Sequence, residues 1–492
     1  MDISAAENNK TSLLSFDQLL DCVCGSVAGG FDPSCFCFTS VVTDSRSVVP
    51  GCLFVPLIGE FQDGHVYIPQ ALEKGASAVF VARSFFEKNP EKIAEFAKNN
   101  PKTAFIVVEN TLTALQHAAR RYVEKFPDLI RVSVTGSSGK TTTKELAASV
   151  LREKYRVVCN KGNLNSETGL PLSCFEICPE HQLALLEMGM NRENEIGELA
   201  ETFKPQYCVV TNIGTAHIGK LGSRQKIAEE KKKIFNFLTP DGTALIPAGD
   251  DFAEFLAQNI KGRVVFYGKD VKDRGIEFVS DEGIEGTVFK IDGETVHLAI
   301  PGSYNYLNAL AAVELGRALG LSARQIKDGI EKLHPLDGRS RILKGKYKIL
   351  EDCYNANPDS MEKALEFAGS VKTGGKKIFV LGSMLELGQE SFEAHRKAGL
   401  EAVKGGVDMI VFVGKDMAAG FESAKSAKTC GQGTENLRLE YFEASDESSI
   451  KKIAGLVEDF ASEGDFILLK ASHGIALERL VPLLNGANGG EA

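Results

Sequence analysis

The chain has 492 residues, 43% of them apolar, and a formal net charge of −10 at neutral pH. That length accommodates about two to four domains with sizeable cores. The acidic balance excludes broad electrostatic attachment to nucleic acid or an anionic membrane, so any attraction for phosphate has to be local. No apolar run approaches the roughly 18 residues of a membrane span. The opening MDISAAENNK lacks the basic and apolar regions of an export signal, and the eleven cysteines, an odd number, read as reduced thiols of a cytoplasmic protein. The spacing in Cys22-x-Cys24 and Cys35-x-Cys37 is too short for the usual zinc site, and Cys35 and Cys37 alternate with Phe36 and Phe38 as in a strand.

Residues 1–111 mix helical patterns at 16–20 and 68–74 with short strand patterns at 40–43, 52–56, 78–81 and 104–108, which predicts a small α/β unit. Two polar clusters interrupt it, Thr43-Asp44-Ser45-Arg46 and Asp63-Gly64-His65. Their residue types are turn formers, and on composition alone they are turns.

From 112 to 336 a second unit is organised around VSVTGSSGKTTTK, residues 132–144. An apolar run ends in Gly136-Ser137-Ser138-Gly139-Lys140-Thr141-Thr142, and a helical pattern follows through Leu146, Ala147, Val150 and Leu151. Strand, glycine loop and helix in that order turn backbone N–H groups and a helix N-terminus toward a phosphate chain, while Lys140 adds a full positive charge. Thr141 is placed to offer a hydroxyl to Mg²⁺. The loop is two residues shorter than the G-x-x-x-x-G-K-[ST] pattern, so its context carries the reading. Further strands are expected at 156–159, 183–187, 207–211, 244–246 and 264–267, alternating with helices, which implies a largely parallel sheet. Ligands of such sheets gather beyond the strands' carboxyl ends. Glu187 and Thr211-Asn212 close two of these strands, and Lys161-Gly162-Asn163-Leu164-Asn165 has the composition of a binding loop or an ordinary turn. Residues 275–300 read as antiparallel strands.

Ile227, Ala228, Ile234, Phe235 and Leu238 form one helical face, and Lys231 falls on it, whereas Lys232 and Lys233 point elsewhere. An unpaired ammonium on an apolar stripe is costly, so Lys231 should snorkel, pair with an acid or be chemically altered.

The third unit, 337–492, alternates strands at 347–350, 378–381, 409–413 and 466–469 with helices at 360–367, 395–403, 449–460 and 475–483. It reads as doubly wound but holds no G-x-G-x-x-G. Polar clusters follow three of its strands: 352–358 (DCYNANP), 382–384 (GSM) and 470–473 (KASH). Three clusters on one edge suggest a second substrate site.

TDSR, PGCLFVPLIG, DGH, TGSSGKTTTK, GNLNSETG, LEMGM, TNIGTAHIGKLGS, IAEEK, NYLNALAA, DGRSR, DCYNANPDSM and MLELG occur in this order over nearly the whole chain. The series resembles the Mur ligases, which build the peptide stem of the bacterial cell-wall precursor, and GNLN with DCYNANPDSM resembles the branch that adds D-alanyl-D-alanine. The resemblance implies an α/β protein of three domains: an N-terminal one for the UDP-linked substrate, a central phosphate-loop ATPase with a mostly parallel sheet, and a Rossmann-like C-terminal domain for the amino substrate. It implies ATP and Mg²⁺ as cofactors, and UDP-N-acetylmuramoyl-tripeptide and D-alanyl-D-alanine as substrates of a cytoplasmic monomer. By the same resemblance Ser45 and Arg46 serve the UDP substrate, and Gly136 to Thr142, Asn308, Arg339 and Asp352 serve the nucleotide. Thr141, Glu187, His217 and Lys231 serve the metal, and Asn163, Asn165, Asn355 and Asn357 the peptide substrates. Lys140, His217 and Lys231 are the implied catalytic groups, Lys231 as the lysine that the family carbamylates. The sequence departs from the family pattern at Tyr304, Lys233, Ser383, Ala471 and His473, and His473 cannot copy an arginine's bidentate grip on a carboxylate. A sister ligase with another acceptor and a non-catalytic nucleotide-gated binding protein remain as alternatives.

Overall fold

The computed structural model describes residues 12–269, 271–272, 274–430 and 436–486. The MDISAAENNK stretch lies outside them. Among the described residues the strands gather into three large sheets and one small one.

The first sheet orders Ser26–Ala28, Ala104–Val108, Ala78–Ala82, Cys52–Phe54 and Ser40–Val42, parallel except where the first strand joins the second. The helix Thr111–Val123, capped by Asn110, buries Leu115, Ala118, Ala119 and Tyr122 in a core shared by residues of this sheet and of the next.

The central sheet is wholly parallel, in the order Arg263–Tyr267, Thr243–Pro247, Tyr207–Val210, Ile130–Thr135, Leu183–Glu187, Val157–Cys159. Neighbouring residues of a strand point to opposite faces. Leu183, Leu185, Val132 and Val134 therefore enter one core with the helix Lys140–Leu151, while Ala184, Leu186 and Val210 enter the other. Burial on both faces explains the near-continuous apolar run LALL before Glu187. The antiparallel sheet Ile276–Asp281, Thr287–Ile291, Glu294–Leu298 forms where antiparallel strands were expected.

The third sheet orders Arg341–Lys344, Lys348–Asp352, Phe466–Lys470, Lys377–Gly382, Met409–Val413 and Arg438–Phe442, antiparallel only at its first pair. The architecture is the three-part α/β arrangement that the sequence implies.

Local readings differ in places. Cys35 ends a 3-10 turn, Pro33–Cys35, and Cys37 follows it outside any strand. Phe16, Phe31, Phe36 and Phe38 pack ring against ring there, so the alternation reflects an aromatic cluster and not a pleat. The helix carrying Lys231 spans Arg224–Lys232 and tightens to a 3-10 turn at Lys233–Phe235. Ile227, Ala228, Ile234, Phe235 and Leu238 are buried, as their shared face requires. No helix among the described residues is long and apolar enough to cross a membrane.

Candidate active site

The phosphate-type loop is shaped by its two glycines and by the strand end beside it. Gly136 has φ 153°, and a Cβ there would lie 1.7 Å from Thr211 Oγ1. Gly139, at φ 77°, caps the helix Lys140–Leu151 from the left-handed region that glycine adopts freely. Asn212 Oδ1 accepts from the N–H groups of Ser137 and Ser138 at 3.1 and 2.9 Å, and Thr211 Oγ1 donates to Ser138 O at 2.6 Å. Lys140 Nζ folds back onto the loop, donating to Gly136 O at 3.0 Å.

Glu187, last residue of its strand, faces this loop. Its carboxylate accepts from Thr141 Oγ1 at 2.8 Å and from Asn165 Nδ2 at 2.6 Å. Asn160 holds the strand end in place: Nδ2 donates to Leu164 O and Glu187 O, and Oδ1 accepts from Glu187 N.

A cavity of about 990 Å³ runs from this loop to the third domain. Ser137 to Thr142, Asn163, Asn165, Glu187, His217 and Asn308 line it from the central domain, and Arg339, Asp352, Asn355 and Asn357 from the third. Asn308 accepts from Thr143 Oγ1 at 3.2 Å, and its amide lies against Gly139. Asp352 pairs with Lys470 at 2.9 Å, and the Arg339 guanidinium stacks 3.8 Å from the Tyr354 ring centre. Three contacts hold the third domain over the loop. Asn357 Nδ2 donates to Ser138 Oγ at 3.2 Å, Asp359 Oδ2 accepts from Thr215 N and Oγ1 at 2.6 and 3.0 Å, and the Tyr304 and Ser340 hydroxyls meet at 2.9 Å.

The site sets Lys140, Lys231 and His217 within electrostatic reach of one another. Lys231 is 1% exposed and makes no hydrogen bond or ion pair among the described residues. Burial, then the charge of Lys140, holds its pKa well below the usual lysine value. Lys232 and Lys233, its neighbours in sequence, are engaged elsewhere: Lys232 on Phe255 O, Lys233 on Glu230 at 2.7 Å. Glu230, beside Lys231 in sequence, is committed to the N–H groups of Asn194 and Ile196. Burial, then Lys140 and Lys231, pushes His217 down to about 3, so the ring is neutral at pH 7. Its Nδ1 is buried without a hydrogen-bond partner, since Glu386 at 3.8 Å is beyond hydrogen-bonding reach. An orphaned imidazole nitrogen, the Thr141 hydroxyl and the Glu187 carboxylate fit a divalent cation. Among the described residues no group of three or more His, Cys, Asp or Glu comes together.

Family models match three consecutive parts of the chain: the Mur ligase family catalytic domain at 38–123, the Mur ligase middle domain at 134–316 and the Mur ligase glutamate ligase domain at 338–473. A UDP-N-acetylmuramoyl-tripeptide–D-alanyl-D-alanine ligase of Treponema pallidum is 40% identical over 486 residues, covering 96% of this chain and 99% of that protein. The chain belongs to the Mur ligase family. A Bacillus subtilis protein of the same name is 37% identical, covering 90% of this chain and 92% of its own. A solved MurF structure from Acinetobacter baumannii superposes with TM-score 0.79 at 28% identity over 95% of this chain and 98% of that one. MurF of Thermotoga maritima in complex with ADP gives 0.73 at 27% identity, over 91% and 97%.

In this Mur ligase the cavity does not gather every residue singled out from the sequence. Ser45 and Arg46 lie apart from it in the N-terminal domain. Ser45 is buried and donates to Gln70 Oε1 at 2.6 Å, while exposed Arg46 turns its fork to Asp44. Lys231 and Gly136 do not line the cavity surface. Sequence reasoning missed Asn160, although its place directly after a strand was a usable signal. Asp359 it passed over entirely, because an acid in the first turn after Asn-Pro reads as ordinary helix capping.

Proposed function

We propose that this Mur ligase joins D-alanyl-D-alanine to UDP-N-acetylmuramoyl-tripeptide, consuming ATP and releasing ADP and phosphate. One observation carries the reading: a single cavity connects the phosphate loop, on one wall, to the DCYNANPDSM edge of the third domain, on the other. A site built only to bind nucleotide has no need of the second wall. We take 1–111, 112–336 and 337–492 as the units for the UDP substrate, ATP and the amine, with Ser45 and Arg46 in the first serving the UDP part.

A carboxylate does not condense with an amine in water, so the tripeptide carboxylate first attacks the γ-phosphorus, giving an acyl phosphate and ADP. The dipeptide amine then attacks the acyl carbon, and phosphate leaves. The 136–142 loop cradles the phosphates, and Lys140, released from Gly136 O, offsets charge on the transferring group. Asn308, Arg339 and Asp352 enclose the nucleotide, and Asn163, Asn165, Asn355 and Asn357 orient the peptide substrates. The ties from Asn357, Asp359 and Ser340 hold the third domain across the cavity, which excludes water that would hydrolyse the acyl phosphate. Bound Mg²⁺ would supply charge neutralisation at the phosphates, and Thr141, Glu187 and His217 are the groups fit to hold it.

Lys231 serves this site as a carbamate. Its neutral amine attacks CO₂ and loses a proton, and burial without a hydrogen-bonding partner raises the neutral fraction of the amine. The product is an anion suited to a divalent cation, whereas an ammonium repels one. Charged nucleotide substrates favour a cytoplasmic enzyme, and we take it to work as a monomer without nucleic acid or membrane.

The test is ADP release with UDP-linked muramoyl tripeptide and a panel of amines. D-alanyl-D-alanine should be the best acceptor. Preference for diaminopimelate, lysine or glutamate would reassign the enzyme to a sister ligase, and absence of turnover with every amine would leave only nucleotide binding.

A further inference from the structure

The third-domain wall of the cavity presents four basic side chains, Arg339, Lys363, Lys470 and His473. Lys470 is committed, donating to Asn355 O at 2.6 Å and pairing with Asp352. Arg339 stacks on Tyr354, and its charge bears on Lys140, which sets it beside the phosphate loop. His473 is exposed, with its ring centre 6.0 Å from that of Tyr354. Lys363 is half-buried, lines the cavity and makes no hydrogen bond or ion pair among the described residues.

Its place on the helix Pro358–Ser370 fixes how far Lys363 stands from the phosphate loop. Asn357 and Asp359, at the start of that helix, touch Ser138 and Thr215 of the phosphate-loop region. Lys363 is four residues beyond Asp359, on the same helical face and about 6 Å further along the axis. Both residues line the cavity. An extended dipeptide spans about 7 Å. A dipeptide that lies along this helix with its amine at the phosphate-loop end brings its terminal carboxylate level with Lys363, while a single amino acid in the same orientation ends about 3.5 Å short.

We propose that Lys363 grips the terminal carboxylate of the dipeptide acceptor and so sets acceptor length. The proposal rests on the dipeptide-ligase activity proposed above. Lys363 acts as a point charge that any terminal carboxylate satisfies, and it selects by reach and not by side chain. A neutral C-terminal amide of the same dipeptide leaves the ammonium without a counter-charge.

The test compares D-alanyl-D-alanine with its C-terminal amide in wild type, Lys363→Met and Lys363→Arg, following kcat/KM for each acceptor, KM for the UDP-tripeptide and affinity for ADP. Wild type should favour acid over amide by at least about tenfold, as a hydrogen bond to a charged group implies. Lys363→Met should bring that ratio close to one by losing on the acid alone, and Lys363→Arg should keep most of it. ADP affinity should stay unchanged in both, which shows that the fold is intact. Equal losses on acid and amide, a wild type that does not distinguish them, or a rise confined to the UDP-tripeptide KM would overturn the proposal. Failure of wild type to use the dipeptide at all would overturn the proposed activity with it, and that result appears before any variant is made.

Discussion

Adding one methyl group at Gly214 should open the enzyme. Gly214 lies in the TNIGTAHIG loop with an ordinary backbone conformation, so alanine brings no φ strain. Its Cβ would fall 2.1 Å from Asp359 Oδ2 and 3.0 Å from Asp359 Cγ, on the third domain, and 3.3 Å from Ser137 Cβ within its own domain. The carboxylate has to retreat, and it then loses the hydrogen bonds from Thr215 N and Oγ1. At about 1.5–3 kcal/mol for each bond to a charged group, domain docking weakens by about 3 kcal/mol or more, roughly a hundredfold in the closing equilibrium constant. The assay is kcat/KM for ligation beside ADP affinity: the first should fall about a hundredfold, and the second should stay close to wild type. Asp359→Ala removes the obstructing oxygen together with the clasp, so Gly214→Ala should add little in that background. A full further loss in the double variant would refute the clasp.

Lys140→Ala should lose at least about 1.5–3 kcal/mol of transition-state stabilisation, a ten- to hundredfold fall in kcat/KM, and wild-type turnover would remove the phosphate-loop reading. Lys231→Ala should be nearly inactive and partly rescued by short-chain carboxylic acids; an active wild type whose Lys231 shows no added CO₂ by intact-mass or ¹³C analysis in bicarbonate would contradict the carbamate. His395 is fully buried, accepting from Met384 N at 2.8 Å and meeting Ser391 O at 2.7 Å, and burial holds its pKa below the usual value. Because the unfolded state binds that proton first, stability should fall as pH drops below about 6.5, by up to about 1.4 kcal/mol per pH unit from this group. His395→Gln should flatten the urea-midpoint slope between about pH 7.5 and 5.5, and an unchanged slope would show that His395 does not hold its proton affinity low.

Much of the fold was legible because buried parallel strands write themselves as apolar runs. LALLE and CVV each ended at a residue that reaches the site region, Glu187 and Thr211. The edge strands Ser26–Ala28 and Arg438–Phe442 were not legible: neither holds a fully buried residue, so no apolar run marks them. Lys231 stood out against its apolar neighbours, and burial, the larger cause of its depressed pKa, was legible with it; the second cause was not. The charge that acts is Lys140, 91 positions away in sequence and close only after folding. Asp359 was illegible for the same reason. A carboxylate in the first turn of a helix serves the helix dipole in most settings, and only its contact with Thr215 distinguishes a clasp from a cap.

Ligation by this route requires phosphorylation of a substrate carboxylate, and oxygen tracing tests that step directly. UDP-muramoyl tripeptide labelled with ¹⁸O in its terminal carboxylate is turned over with ATP and D-alanyl-D-alanine, and the released phosphate is analysed by mass. Attack of the carboxylate on the γ-phosphorus leaves one carboxylate oxygen in each phosphate, so label should appear there in step with ADP and pentapeptide. Unlabelled phosphate accompanying full pentapeptide formation would contradict the mechanism.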